Sequence, residues 1–284
     1  MSTKNLTKAI IFAVLSAGLS TPLQILNSIY VLQETAPPDI IFLIPIGIIG
    51  IIMKTLYAIA YVLMGKKLPI QSQKLRAFIF IFIIWLSDYL PQVLGLIGAD
   101  GPIAEAAFSL PLVACDSLSY MIDGILLGAL YKDFPYYEIK KYSKTALVKT
   151  MIISAFVFPL SVFVIEQILG FLYPPLYCFN AMKVSDAKII SFTISFYGCF
   201  MITGALLPMI YRYTEFNTRN QTSSLRFGSI YAICLWAPVV LIMVAFGANI
   251  LITCVYIIVF SLCITAVAKM NDYLITRFYL PNSE

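Results

Sequence analysis

Apolar residues run along this chain in long unbroken stretches, and the charged residues gather between the stretches rather than recurring on helical faces. A helix that is apolar all round has no solvated face, so it belongs in a large core or in a bilayer. At 1.5 Å per residue, about 20 residues cross the roughly 30 Å of a hydrocarbon layer. Punctuation by Gly, Pro and charge then predicts eight helices, at about 9–32, 39–64, 77–98, 102–131, 147–173, 188–211, 226–246 and 249–268. The last two are divided only by Phe246-Gly-Ala-Asn-Ile250, in an apolar run of about 40 residues, twice the length of one span.

Composition places these helices in a membrane. The 284 residues are 61% hydrophobic and 12% charged, with a mean hydropathy of +0.91, whereas soluble domains carry about a quarter charged residues. The expected fold is an all-α polytopic membrane protein, a single transmembrane domain over residues 1–284, with the lipid bilayer as its first partner. The apolar run from Ala9 to Leu32 is too long for a signal peptide, and Glu34-Thr-Ala-Pro-Pro38 is a poor cleavage site, so it reads as a retained first span.

Charge sets an orientation. With eight spans, all of the 19 lysines and arginines except Lys54, Lys183 and Lys188 fall on one side, which the positive-inside rule makes cytoplasmic. Both termini are then cytoplasmic, and the plasma membrane is the expected location. Tyrosines interleave with the basic residues in "YKDFPYYEIKKYSK" and "YRYTEFNTRN". Beside membrane spans this pattern reads as an interfacial belt facing anionic lipid rather than a nucleic-acid surface.

The absence of histidine removes the commonest general base and metal ligand. The six cysteines show no C-x-x-C spacing, so neither a disulfide framework nor a thiolate metal site is indicated, and no cofactor is expected. Charge at depth is the remaining chemistry. Asp88 and Asp116 fall at the middle of the third and fourth spans, and Lys54 within about 4 Å of the middle of the second. Asp123 lies two turns from Asp116 on nearly the same face, roughly 10 Å nearer the cytoplasm, and Glu166 in the fifth span is a secondary candidate.

Each such charge costs about 2.5–3.5 kcal/mol at a helix centre, so these residues should face a partner, a bound ion or a water-filled cavity. Lys54 neutralises one carboxylate only. A carboxylate left over is a candidate carrier of a proton or cation. Pro91 in "WLSDYLPQ", Pro111, and Pro45 with Gly47 and Gly50 lie close to the charges, and prolines free backbone carbonyls. Gln24, Asn27 and Gln92 add amides, and Ser117 and Ser119 add hydroxyls. Trp85, Tyr57, Tyr61, Tyr120 and Trp236 could line a pocket for an organic cation.

The set resembles in kind the discontinuous helices of secondary transporters. The stretch "KAIIFAVLSAGLSTPLQ" also resembles the first helices of drug and metabolite transporters, over under a tenth of the chain. That resemblance implies transport and assigns no residue. The expected function is a proton- or cation-coupled secondary transporter, or a transport component, with a small-molecule or ion substrate and a possible partner subunit or homo-oligomer. Two alternatives stand beside it. One is an intramembrane enzyme with Asp88 and Asp116 as a dyad, although "SDYL" and "ACDS" lack the Tyr-Asp and Gly-x-Gly-Asp of the known intramembrane aspartyl proteases. The other is a sensor, immunity or assembly subunit. Among the first four and last four helices no sequence repeat stands out, and the second half reads as scaffold.

Overall fold

The computed structural model describes residues 3–31, 40–65, 68, 70–89, 110–132, 144–174, 189–212, 223–236 and 250–279. Among them the regular elements are all helical: α1 (Thr3–Val31), α2 (Ile40–Leu63), α3 (Gln73–Ile84), α4 (Leu110–Leu130), α5 (Lys144–Leu172), α6 (Ile189–Arg212), α7 (Ser223–Tyr231) and α8 (Ile250–Tyr279). Both α3 and α7 continue into a five-residue π turn, Trp85–Tyr89 and Ala232–Trp236. One helix lies in each of the eight predicted runs. Of these, α1, α4, α5, α6 and α8 are long and apolar enough to cross a membrane, and α2 contributes a shorter apolar helix, Gly47–Leu63.

Helix α5 shows why the exterior suits hydrocarbon. Val148, Ile152, Phe156, Leu160, Val164 and Ile168, four residues apart, are 47–61% exposed over 20 residues, or about 30 Å of helix. Ala146, Thr150, Ser154, Phe158, Val162 and Glu166 repeat at the same spacing on the other face and are buried. The inward face is thus the more polar one. Thr150 satisfies itself within the helix, its hydroxyl donating to the carbonyls of Ala146 (3.0 Å) and Leu147 (2.8 Å).

The helix ends carrying basic residues gather together in each half. Near the start of α1, the Lys8 ammonium lies 5.6 Å from the ring of Tyr131, whose hydroxyl donates to the Asn5 carbonyl at 3.0 Å. The ring of Tyr61, near the end of α2, is 5.8 Å from Tyr131. Ser72 caps α3, and the buried Arg76 donates to the carbonyl of Ile70 (2.9 Å), folding the preceding loop onto the helix start. In the second half Tyr211, near the end of α6, packs against Phe227 of α7 (4.9 Å) and donates to Asp272 of α8 (2.8 Å).

Packing follows one order twice. The main contacts of the first half are α1 with α2, α1 with α4 and α3 with α4, and those of the second are α5 with α6, α5 with α8 and α7 with α8. The halves meet where the α3 π turn packs on α6 and the α7 π turn packs on α2, which is again the same contact exchanged. Pro91 and Pro238 each stand two residues beyond the end of their π turn. The repeat that side-chain identity concealed is therefore present in the packing, because only the backbone punctuation and the helix order are shared.

Several helices run past their predicted limits, α1 beginning at Thr3 rather than 9 and α3 at Gln73 rather than 77, and α8 departs furthest. The sequence closes the last span at 268, where Lys269, Asn271 and Asp272 begin, but α8 runs to Tyr279. The reason is that these polar residues have partners on α6: Asn271 donates to the Pro208 carbonyl at 3.4 Å and Asp272 accepts from Tyr211. Of the predicted 102–131, residues 110–130 form α4 and 102–109 lie outside the described residues.

Small residues set the helix separations. On α4, Gly124 and Gly128, four apart, let α3 approach until an added Cβ would stand 3.0 Å from the Cα atoms of Phe78 and Lys74. A Cβ at Gly204 of α6 would lie 2.5 Å from the Ser154 carbonyl oxygen of α5, whereas at Gly18 of α1 it would meet nothing within 4 Å. Gly204→Ala is therefore expected to lower stability by about 1–3 kcal/mol in detergent thermal unfolding, while Gly18→Ala leaves the midpoint unchanged or slightly raised. Equal midpoints for the two variants would contradict the close α5–α6 approach.

Candidate functional site

The site is built on one face of α4. Residues spaced three, four and seven apart share a helix face, which aligns Asp116, Ser119, Tyr120 and Asp123. Asp123 is fully buried and accepts hydrogen bonds from the Lys54 ammonium of α2 and from the Ser16 hydroxyl of α1. One carboxylate thus ties three helices together. Ser119 adds an acceptor 3.4 Å from the ammonium, and the Ser20 hydroxyl donates to the Ser16 carbonyl at 2.8 Å. The rings of Tyr57 and Tyr120 stand 5.8 and 5.4 Å from the Lys54 nitrogen, with their hydroxyls 3.3 Å apart. They give the cation two aromatic faces where water is excluded.

The sequence places Lys54 level with Asp88 and Asp116, yet the lysine reaches Asp123. Depth along two spans does not fix which residues meet: Asp116 and Asp123 share one face of α4 two turns apart, and the Lys54 side chain extends to the second of them.

Asp116 has a different environment. It is half-buried, and its Oδ2 accepts from the hydroxyl of Tyr89, the last residue of the α3 π turn, at 2.9 Å. An aromatic run starts from Tyr89: its ring lies 5.6 Å from Tyr120 and 6.4 Å from Trp85, which stacks on Phe82 at 5.7 Å. A cleft of about 290 Å³ opens between α3 and α4 beside this run, lined by Phe82, Trp85, Tyr120, Met121 and Ser117, the neighbour of Asp116.

The remaining sequence candidates are distributed as follows. Asp88 has its backbone in the π turn, and Gln24 and Asn27 have theirs in α1, but the side chains of all three lie outside the described residues. Gln92 lies outside them altogether. Glu166 belongs to the second half, buried on the inward face of α5, where its Oε2 accepts from the Tyr197 hydroxyl of α6 at 2.8 Å.

Residues that the sequence did not single out complete the picture. Ser16 and Ser20 stand four apart in an apolar helix, a spacing that places both hydroxyls on one face. Ser87, in the middle of the α3 π turn, forms the seam with the other half. Its carbonyl accepts from the Thr203 hydroxyl of α6 at 2.8 Å, and its own hydroxyl accepts from Tyr231 of α7 at 3.0 Å. All three residues are fully buried. The legible signal was Pro91, four positions on, which has no N–H to give the Ser87 carbonyl.

The fold and the site together describe an all-helical bundle with apolar outer faces and ionisable groups inside. No family model, curated protein or solved structure matches this chain.

Removing one member of the Lys54–Asp123 pair leaves a buried charge without its partner. Asp123→Asn and Lys54→Met are each expected to lower stability by about 3–5 kcal/mol, and the double variant Lys54→Met/Asp123→Leu to recover most of that loss. A double-mutant cycle on unfolding midpoints in detergent measures it. Additive losses would mean that the pair does not bind α2 to α4.

Proposed function

We propose that this chain is an integral membrane transporter of eight spans, a proton- or cation-coupled secondary carrier or the membrane component of one. The observation that carries this reading is the half-buried Asp116 carboxylate, held by a tyrosine from a broken helix beside the seam of two like halves. Carriers place their coupling ions where helices are discontinuous, between repeats that move against each other. Ionisable side chains at such depth serve ion pathways far more often than they serve lipid contacts.

Roles divide by environment. Asp123 is saturated by Lys54 and Ser16 and acts as a fixed pair that makes α1, α2 and α4 one body. Asp116 is the carboxylate that takes up and releases the proton or cation, with Asp88 in the same π turn as Tyr89 as the second acid at hand. We assign a small substrate to the apolar cleft beside Ser117, the chain neighbour of Asp116. With four spans in each half, the halves share one orientation and relate by an axis along the membrane normal. The basic helix ends and both termini then face the cytoplasm of a cell whose plasma membrane holds the protein.

Reconstitution into vesicles containing a pH-sensitive dye tests the reading. Under an imposed proton, sodium or potassium gradient, the parent chain is expected to carry a flux that Asp116→Asn abolishes and Asp88→Asn reduces. Parent-like flux in both variants would remove the assignment. For the orientation, a fluorescent reporter that matures only in the cytoplasm is expected to be bright when fused at either end. A dark fusion at one end would mean an odd number of spans.

A further inference from the structure

We infer that Ser87 is a positioning residue that couples the occupancy of Asp116 to the packing of the two halves, acting through the π turn Trp85–Tyr89. The inference rests on the transport reading above and adds the part that passes ion binding on to movement.

The geometry is that of a short lever. Ser87 and Tyr89 are two residues apart in a helical turn and so point to nearly opposite sides. Tyr89 reaches back into its own half and gives its hydroxyl to Asp116 at 2.9 Å. Ser87 reaches across the seam, receiving Thr203 on its carbonyl at 2.8 Å and Tyr231 on its hydroxyl at 3.0 Å. Each contact has a local cause. Pro91 supplies no N–H to the Ser87 carbonyl, so that acceptor is available to a hydroxyl from α6. The π turn widens the helix and re-aims the residues within it, and such turns recur at functional sites.

The two states of Asp116 differ in how strongly they hold this lever. A charged carboxylate accepts a charge-assisted bond from Tyr89, about twice as strong as the bond to a neutral acid. Protonation, or a cation bound to the carboxylate, weakens that hold. The π turn then follows the contacts on its other side, made by Ser87 with Thr203 and Tyr231. A ligand shifts a conformational equilibrium only by its differential interaction with the two states, and the Tyr89–Asp116 bond supplies that difference.

The chain has two tryptophans, Trp85 in the α3 π turn and Trp236 in the α7 π turn, one reporter for each half. Trp236→Phe leaves Trp85 as the emitter, and Trp85→Phe leaves Trp236. Among the described residues, titratable or charged groups around Asp116 include Tyr89 on the π turn, Cys115 and Tyr120 on its own helix and, beyond Tyr120, Tyr57, Lys54 and Asp123. Asp116→Asn therefore serves to assign any step to this carboxylate.

Emission is followed against pH in reconstituted full-length protein, and against sodium and potassium at fixed pH. Both single-tryptophan proteins are expected to show a step at the same pH or cation concentration, lost in both with Asp116→Asn. Thr203→Val/Tyr231→Phe is expected to keep the Trp85 step, to lose most of the Trp236 step, and to lower flux about tenfold. Thr203→Ser, which keeps the hydroxyl, should restore both if Tyr231 is intact, and it controls for misfolding. A full Trp236 step and full flux in Thr203→Val/Tyr231→Phe would overturn the inference, leaving Ser87 as packing. Parent proteins with no step at either tryptophan would overturn it as well. Failure of the transport reading has a separate mark, since there Asp116→Asn carries parent-like flux whatever the emission does.

Discussion

Where a helix turns an apolar face outward, each polar group it carries must find its partner inside the bundle. Most of this structure follows from that constraint. Serine and threonine hydroxyls donate to carbonyls one turn back, as Thr150, Ser161 and Thr265 do. The carboxylates cannot solve the problem within one helix, so they solve it across two or three. Asp123 takes Lys54 and Ser16, while Asp116, Glu166 and Asp272 each take a tyrosine hydroxyl from another helix: Tyr89, Tyr197 and Tyr211. Each acid thereby fixes a helix pair, and together they hold a bundle that has little water-driven apolar attraction between its helices.

Within that frame the halves differ in content but not in plan. Both have a second helix that meets the other half's broken third helix, and both third helices are punctuated by a proline two residues beyond the break. The first half adds an ion pair and an aromatic run to this plan, and the second adds the two hydroxyls that close the seam on Ser87. Polar groups are thus unequally shared by parts of like plan. The first half holds the Lys54–Asp123 pair, and the other supplies the hydroxyls of Thr203 and Tyr231 that reach Ser87.

How much of this was legible in the sequence can be judged residue by residue. The length and apolarity of the runs located a helix in each of eight places, because hydrocarbon thickness leaves little freedom in what such a run can do. Lys54, Asp88, Asp116 and Asp123 were legible as charges at depth, since such charges are rare and expensive. The pairing was not, because Asp116 and Asp123 share one face of α4 and depth along a span does not say which of them the lysine side chain reaches. The polar start of Lys269-Met-Asn-Asp272 looked like a loop and proved to be helix, its cost met by Tyr211 and the Pro208 carbonyl. Ser87 was missed because a serine carries no charge to mark it. What makes it distinctive is a carbonyl freed by a proline four positions on, which matters only once α6 is placed beside it.

The Lys54–Asp123 pair also bears on how the chain is made. Its members are 69 residues apart, so α2 is synthesised long before the carboxylate that neutralises its lysine. While the chain emerges, α2 carries an uncompensated ammonium, and α1 carries Ser16 and Ser20 on its future inner face. Neither helix gains by drifting into lipid alone. Both are completed only when α4 is made, since Asp123 is the partner of both. The Ser87 carbonyl and hydroxyl then meet Thr203 and Tyr231, which come still later in the chain.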